Sequence, residues 1–508
     1  MTMADCGLDD IYNELINNSA SSSDISEDGD WDDNRAEYDN RVENLNEKQR
    51  RIVTDVMNVA KTRKTNGNRL FFVYGKAGCG KTFTFNTLIR SLRNDGLSVI
   101  AVASTGIAAT LLEDGRTAHS TFSLPLKGLR GDSVAGVDAS SDKGKMLREV
   151  DVIVWDEISM QTRYAVECVD RLLRDLAAPE NRNLRFGGVV MVFGGDWCQF
   201  LPVVPGGSKM DIINETLKSS ELWSDMQVYV LDENMRLRPG EEEHAAWLQA
   251  VGEGRNFTPD GVDIEVPIEM CMESEEDVIT WMYTDEVIHS TDLIGNMALL
   301  TVRNCDALEL NLKVLNIVPG ECVEFFAVDT PASEDEDLVG MPCDDEEFIH
   351  HLTPPGMPEY KLKVKCGAIV MLLRNIDVQE RMCNGTRLEI LSIMADQRML
   401  RCRNLLTGRN TYITRIPLDF ADENTGIAFR RFQFPIRLSY CMTINKSQGQ
   451  TFDKVGIIMR TPSFAHGSTY VALSRARSRD LVRITTNSRR KVRQPLRIRN
   501  VVYEEMIA

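Results

Sequence analysis

Apolar runs of five or six residues recur along the first half of the chain, each closed by glycine or polar residues: Leu70-Phe71-Phe72-Val73-Tyr74, then 98–103, 150–155 and 189–193. Uninterrupted apolar character, as opposed to alternation, marks strands covered on both faces. Between the runs the spacing turns helical, as at Ile52, Val53, Val56, Met57 and Val59 after Leu45-Asn46-Glu47-Lys48-Gln49. Strands alternating with helices predict a parallel α/β sheet with its ligand crevice at the carboxyl ends of the strands.

The second half repeats the theme with an interruption. Runs at 228–231, 298–302, 438–444 and 455–459 predict a second α/β sheet, while short alternating runs at 364–374, 387–394, 399–403 and 410–416 predict an inserted β-barrel. The expected architecture is α/β, with two lobes. The first covers 41–227 with a small insertion at about 121–148, and the second covers 228–508 with the barrel at about 360–430. Residues 1–40 combine a serine run with dense acid and few large apolar residues, the composition of a disordered acidic tail.

Composition narrows the class. The 508 residues are 43% hydrophobic and 26% charged, enough for two to four domains with substantial cores. No apolar run approaches the ~18 residues of a membrane span, so no membrane role is expected. The first residues lack the basic and apolar segments of a secretory signal and the arginines of a mitochondrial one, which makes nucleus or cytoplasm the expected compartment. Twelve cysteines without a Cys-x-x-Cys pair argue against a zinc module or a disulfide framework. A net charge of −18 looks wrong for a nucleic-acid partner until its distribution is read. Residues 1–40 hold twelve acids against Arg35, and a second acidic block lies at 333–347, whereas 475–499 carries nine arginines and Lys491 against Asp480.

The first apolar run leads straight into Gly75-Lys76-Ala77-Gly78-Cys79-Gly80-Lys81-Thr82, the spacing of a phosphate-binding loop between strand and helix. Its glycines let backbone N–H groups turn around a triphosphate, Lys81 reaches β and γ oxygens, and Thr82 ligates magnesium. ATP and Mg2+ are the expected cofactors. Asp156 and Glu157 close the run at 150–155; Asp156 would hold the metal and Glu157 would orient and deprotonate the attacking water. Gln199, after Gly194-Gly195-Asp196, is placed to sense the γ-phosphate. Arg236 and Arg475 are the candidate arginine fingers. In Asn445-Lys446-Ser447-Gln448, Gln448 stands where a guanine reader needs a carboxylate, which excludes a GTPase of that type.

Taken together, these motifs resemble superfamily 1 DNA helicases of the Pif and RecD type. The series continues through Ala103-Ser104-Thr105-Gly106-Ile107, Thr117-Ala118-His119-Ser120, Phe186-Gly187-Gly188, 443–449 and Tyr470-Val471-Ala472-Leu473-Ser474-Arg475. Leu201-Pro202-Val203-Val204-Pro205, Cys383-Asn384-Gly385-Thr386 and Asn500-Val501-Val502-Tyr503 are similar to the eukaryotic branch that includes the helicase half of Helitron transposons. The resemblance implies two RecA-like P-loop NTPase lobes with an SH3-like barrel in the second. It implies an ATP-dependent DNA helicase moving 5′ to 3′ on single-stranded DNA and unwinding duplex in repair, recombination, telomere maintenance or transposon replication. The expected partners are single strands and duplex junctions, bound by a chain for which a monomer is plausible. Gln49 and Gly449 join the phosphate loop as nucleotide-binding candidates, and Thr105, Gly106, His119 and Lys446 become DNA-binding candidates. Trp197-Cys198 and Phe200 flank Gln199 where the family more usually has Phe-Arg and a smaller aliphatic. The alternative is a transposon-derived ATPase or DNA-binding remnant without unwinding activity.

Overall fold

The computed structural model describes residues 38, 40–62, 68–125, 128–331, 341–342, 346–377, 380–394, 397–422, 427–487 and 494–507. The expected disordered tail, apart from Tyr38 and Asn40, and most of the acidic block lie outside the described residues, as does 488–493 of the arginine-rich stretch. The chain gathers into two compact units, one of Tyr283–Ala298 and Asn304–Cys441, the other of Arg41–Met282, Leu299–Arg303 and Met442–Ala508.

In the larger unit, β1 (Leu70–Gly75), β2 (Val99–Ala103), β3 (Arg116–Thr117), β4 (Val152–Asp156), β5 (Val190–Gly195) and β6 (Gln227–Leu231) form one sheet in the spatial order β3-β2-β4-β5-β1-β6. Every pairing is parallel. Successive side chains go to opposite faces, and both faces are covered. Phe72, Ile153, Trp155, Met191 and Phe193 pack with Val166, Val169 and Leu173 of helix Arg163–Leu176. Phe71, Val73, Val154 and Val192 pack with Ile52 and Val56 of helix Glu47–Ala60 and with Phe85, Leu88 and Leu92 of helix Lys81–Asn94. Each such side chain contributes roughly 1.5–3 kcal/mol on burial, which is why no polar residue interrupts the central strands. Asn46 and Gln49 start the first helix through a reciprocal capping box, with bonds of 2.9 and 3.1 Å.

Two strand expectations need correction. The run at 228–231 was expected in the second sheet; it is the edge strand β6 of the first, paired with β1. Its alternation fits an edge, since Val228 and Val230 are 48% and 46% exposed while Tyr229 and Leu231 are buried. The run at 438–444 is two strands. Ile436–Leu438 joins a sheet of the inserted region, and Cys441–Thr443 joins the second α/β sheet, ordered Cys441–Thr443, Met297–Thr301, Lys454–Met459, Val482–Thr486. The break follows from buried Asn311, whose side-chain oxygen accepts from the N–H groups of Tyr440 and Cys441 at 2.8 Å each, taking donors that a continuous ladder would use.

The β-rich insertion is wider than 360–430. A five-stranded antiparallel sheet runs Asn410–Thr414, Met399–Asn404, Arg387–Met394, Ile369–Leu372, Ile436–Leu438. A second is built on Ile427–Gln433, flanked by Ile416–Asp422 and Val328–Pro331, and Val323–Phe326 pairs with Lys361–Val364. The expected run 364–374 thus contains the end of one strand and the whole of another, separated by a turn at Gly367 with φ +80. The chain is two RecA-like lobes with an inserted β domain.

That domain is organised around a charge. Arg431 is fully buried; its Nε and Nη2 donate to both oxygens of Asp329 at 2.8 and 2.7 Å, and its other donors reach the carbonyls of Ile349, Leu352 and Pro358. Without the carboxylate the guanidinium would keep its carbonyl partners but lose two hydrogen bonds and leave its charge buried without a counter-ion. Asp329→Ala is therefore expected to destabilise the domain by about 3–5 kcal/mol, measured as a lowered urea midpoint. Among the described residues no helix is long and apolar enough to cross a membrane.

Candidate nucleotide site

β1 ends at Gly75, and the next five residues turn into helix Lys81–Asn94, whose N-cap is Gly80 in the left-handed region at φ +74. Gly78, at φ +85, allows a close approach: a Cβ there would lie 2.7 Å from the Cβ of Arg236. β4 delivers Asp156 and Glu157 to the same edge of the sheet. Lys81 Nζ lies 2.6 Å from Asp156 Oδ1 and 3.5 Å from Glu157 Oε1, and all three residues are buried. Burial pushes the Lys81 pKa down, but the charges of Asp156 and Glu157 outweigh it, so Lys81 stays protonated above the usual lysine range. The Asp156 carboxyl is raised by burial, only partly offset by Lys81. Glu157 adopts φ +53, a left-handed conformation rare outside glycine, and its N–H donates to Asp156 Oδ1 at 2.7 Å.

β5 supplies the next group. Gln199 donates through Nε2 to Asp196 Oδ2 at 2.8 Å, and its Oε1 is buried without a partner among the described residues. Burial raises the Asp196 pKa to about 6. From the far end of the chain, Gln448 Nε2 donates to Glu157 Oε2 at 3.2 Å, and its Oε1 is likewise unpartnered.

The arginines arrive from two further segments. Arg236 Nη1 donates to the carbonyl of Ser474 at 2.9 Å. Arg475 donates to the carbonyls of Val471 and Gln450 and to the Ser474 hydroxyl. Neither guanidinium makes an ion pair with a carboxylate among the described residues. Burial, with the Arg236 charge second, pushes Arg475 down to about 9, and burial lowers Arg236 as well. Two mutually repelling cations beside a phosphate loop, Arg475 buried and Arg236 half-buried, form a site complementary to an anion.

The same segments hold the loop backbone. Met235 N–H donates to the Gly78 carbonyl at 2.7 Å, Asn234 Nδ2 to the Ala77 carbonyl at 3.3 Å, and Ala77 N–H to the Tyr470 hydroxyl at 3.1 Å. Lys76 Nζ pairs with Glu253 at 2.5 Å, and Gln49 Nε2 reaches the Cys79 carbonyl at 3.5 Å. A cavity of about 320 Å³ opens beside the loop, lined in part by Lys76, Cys79, Asn234, Arg236 and Tyr470. The hard oxygen donors Thr82 and Asp156 fit magnesium, which keeps most of its ligands as water and phosphate oxygen.

Lys81, Asp156, Glu157, Arg236 and Arg475 are thus gathered with Gln49 around one loop, and Gln199 is tied to Asp196. The DNA-binding candidates sit on segments that adjoin this cluster: Ser104, just before Thr105, donates its N–H to the Asp156 carbonyl at 3.2 Å. Thr105 caps the helix that Gly106 begins, accepting from Ala108 N–H at 3.2 Å. His119 is half-buried in helix Ala118–Phe122, its pKa lowered by burial. β2 and β3, which lead to these residues, are adjacent, with Ala103 paired to Thr117. Lys446 sits on the turn Ile444–Ser447, and Gly449 follows it at φ +77. Sequence reasoning missed Gln448, Asn234 and Tyr470 as site residues. The signal for each was its place inside a quoted motif, next to Lys446, Arg236 and Arg475.

Comparison with known proteins shows the family. A model of PIF1-like helicases matches residues 44–261, and one of the DNA helicase Pif1 2B domain matches 347–393. The ATP-dependent DNA helicase Pif1 of Bdellovibrio bacteriovorus is 31% identical over 412 residues, covering 80% of this chain and 82% of that protein. ATP-dependent DNA helicase PIF1 of Homo sapiens is 27% identical over 425 residues, 82% of this chain but 58% of its own length. The chain therefore spans a little over half of the human relative. Among solved structures, Bacteroides Pif1 bound to ssDNA superposes with a TM-score of 0.61 at 23% identity, over 88% of this chain and 93% of that one. Candida albicans Pif1 gives 0.61 at 24% identity, over 91% and 98%; both establish the likeness of fold. With a phosphate loop, paired acids and two unpaired arginines converging on one site, and with this identity over most of the bacterial relative, the chain belongs to the Pif1 family of ATP-dependent DNA helicases.

Proposed function

We propose that the chain couples ATP hydrolysis to movement along single-stranded DNA from 5′ to 3′ and opens duplex at a junction. The observation that carries the reading is the convergence of Lys81, Asp156, Glu157, Gln448, Arg236 and Arg475, from segments up to 394 positions apart in sequence, on one loop. A nucleotide seated there brings negative charge to two arginines that lack a counter-ion. Lys81 and the loop N–H groups take the β and γ oxygens, Thr82 and Asp156 hold magnesium, and Glu157 takes the proton of the attacking water. Magnesium, when bound, neutralises charge on the phosphate oxygens. Arg236 and Arg475 stabilise the transferring phosphoryl group, and Gln199 reads its presence through the Asp196 hydrogen bond. Hydrolysis and release of phosphate restore the repulsion between the arginines, which loosens their segments from the loop. Alternating grip and release become stepping when Thr105, Gly106 and His119 on one lobe and Lys446 on the other hold the strand in turn.

The relatives' names and the ssDNA-bound neighbour support DNA, and single strands in particular, as the partner, and action on DNA fits a nuclear location. The test uses 5′-tailed, 3′-tailed and blunt duplexes with ATP. The 5′-tailed duplex alone should be unwound, and Lys81→Ala should unwind none; equal action on 3′ tails, or a retarded complex with no strand release, refutes the reading.

A further inference from the structure

The last turn of helix Glu242–Glu253 backs the phosphate loop through two consecutive loop residues, one held directly and one through a tyrosine. Lys76 Nζ, on the second residue of the loop, lies 2.5 Å from Glu253 Oε1, and the two side chains are only 15% and 16% exposed. Glu253 is itself fixed: Gln249 Nε2 donates to the same oxygen at 3.0 Å, and Arg255 Nε donates to the other at 2.5 Å. Burial alone would raise the Glu253 carboxyl, but the hydrogen bonds from Lys76, Gln249 and Arg255 outweigh it and hold it below the usual glutamate range. The next loop residue, Ala77, gives its N–H to the Tyr470 hydroxyl at 3.1 Å. Gly252 packs on that tyrosine so closely that a Cβ there would lie 3.0 Å from its ring.

Lys76 also begins the turn that shapes the cradle. Its carbonyl accepts from Cys79 N–H at 3.2 Å, closing a turn that contains Gly78 at φ +85 and leads into Gly80 at φ +74. Fixing the first residue of that turn fixes the direction in which the following N–H groups point. The two lysines of the loop therefore have separate carboxylate partners, Glu253 for Lys76 and the pair Asp156 and Glu157 for Lys81. A lysine in a phosphate loop is ordinarily read as a phosphate ligand. Lys76 can reach a phosphate only by giving up a charge-assisted contact in a site with little water.

We infer that Lys76 and Glu253 are a positioning pair that holds the phosphate loop in its nucleotide-accepting shape, Lys76 acting through the turn it begins and not on the phosphates. The inference rests on ATP being bound at this loop and names the groups that set its affinity there. Loss of the pair weakens nucleotide binding and spares the chemistry, which belongs to Lys81, Glu157 and the arginines. The two roles open to Lys76 predict opposite effects at its partner. A lysine that meets phosphate binds it better once the competing carboxylate of Glu253 is removed. A lysine that positions the loop is set adrift by the same change, and the cradle loses its shape.

The test compares the full wild-type chain with Lys76→Met, Glu253→Met and the double variant, at saturating oligothymidylate and magnesium. Kd for a fluorescent ATP analogue is measured beside KM and kcat for ATP. Each single variant should raise Kd and KM about 10-fold, with kcat within about twofold of wild type. The double variant should bind no worse than the weaker single variant, since either substitution breaks the same pair. Lys76→Arg, which keeps the charge and a donor for Glu253, should recover most of the affinity and so separates loss of the pair from misfolding. A Kd that stays at the wild-type value or falls in Glu253→Met overturns the inference. So does a double variant whose loss is the product of the single losses, a Lys76→Arg chain that binds as poorly as Lys76→Met, or a kcat that falls as far as KM rises. A wild-type chain that neither binds nor turns over ATP removes the reading beneath it instead, and is seen before any variant is assayed.

Discussion

Lys81→Ala is expected to lower ATP turnover by about 10³-fold or more, measured as steady-state phosphate release with saturating single-stranded DNA. Lys81 is the cation in contact with Asp156 and Glu157, at 2.6 and 3.5 Å, in a buried site. Its loss leaves two carboxylates adjacent without compensation and would also remove the proposed contact to the β and γ oxygens. Asp156, already raised by burial, would then retain a proton and bind magnesium poorly. The defect should therefore appear in magnesium dependence as well as in rate. A variant that loses rate but keeps the wild-type magnesium titration would place Lys81 on the phosphates alone.

Arg475→Ala should cost about 10³-fold in kcat with nucleotide binding changed by a few-fold at most, because the arginine acts where charge develops. Arg475→Lys should recover little, since each guanidinium nitrogen donates, to Val471, Gln450 and Ser474, and two further N–H groups remain for phosphate, a planar arrangement that an ammonium cannot reproduce. Arg236→Ala should show the same pattern. The double variant should lose less than the product of the single losses, because the Arg236 charge is one cause of the lowered Arg475 pKa and the two arginines act as a unit. Fluorescent-nucleotide binding beside single-turnover hydrolysis separates these effects; a Kd that rises with the loss of rate would make the arginines ground-state binders.

The central strands were legible because burial on both faces leaves no room for polar residues, and the phosphate loop because its glycines and Lys81 answer a backbone need that few other sites have. The misplacement of 228–231 has a clear cause. A parallel strand can be filled into a sheet from far along the chain, and only the exposure of Val228 and Val230, invisible in sequence, marks β6 as an edge of the first sheet. The apolar run 438–444 concealed a change of sheet made by one distant side chain, Asn311. The same limit applied to the site. Lys81, Asp156 and Glu157 announce themselves by local motif, whereas Gln448 and Tyr470 acquire a role only from what faces them, Glu157 in one case and the Ala77 N–H in the other. Arg236 and Arg475 were singled out through family resemblance; what sets them apart in the structure is that both meet at Ser474 beside the phosphate loop, one on its carbonyl and the other on its hydroxyl.

Everything proposed for the motor depends on one property, that the split site hydrolyses ATP efficiently only when a strand is held. Steady-state ATPase of the full chain, titrated with oligothymidylate at saturating ATP and magnesium, measures it directly. A site split between Lys81 and Arg475 that closes on a held strand predicts a saturable rise in kcat on adding the strand, absent in Lys81→Ala. A full rate without DNA, unchanged across the titration, would contradict it.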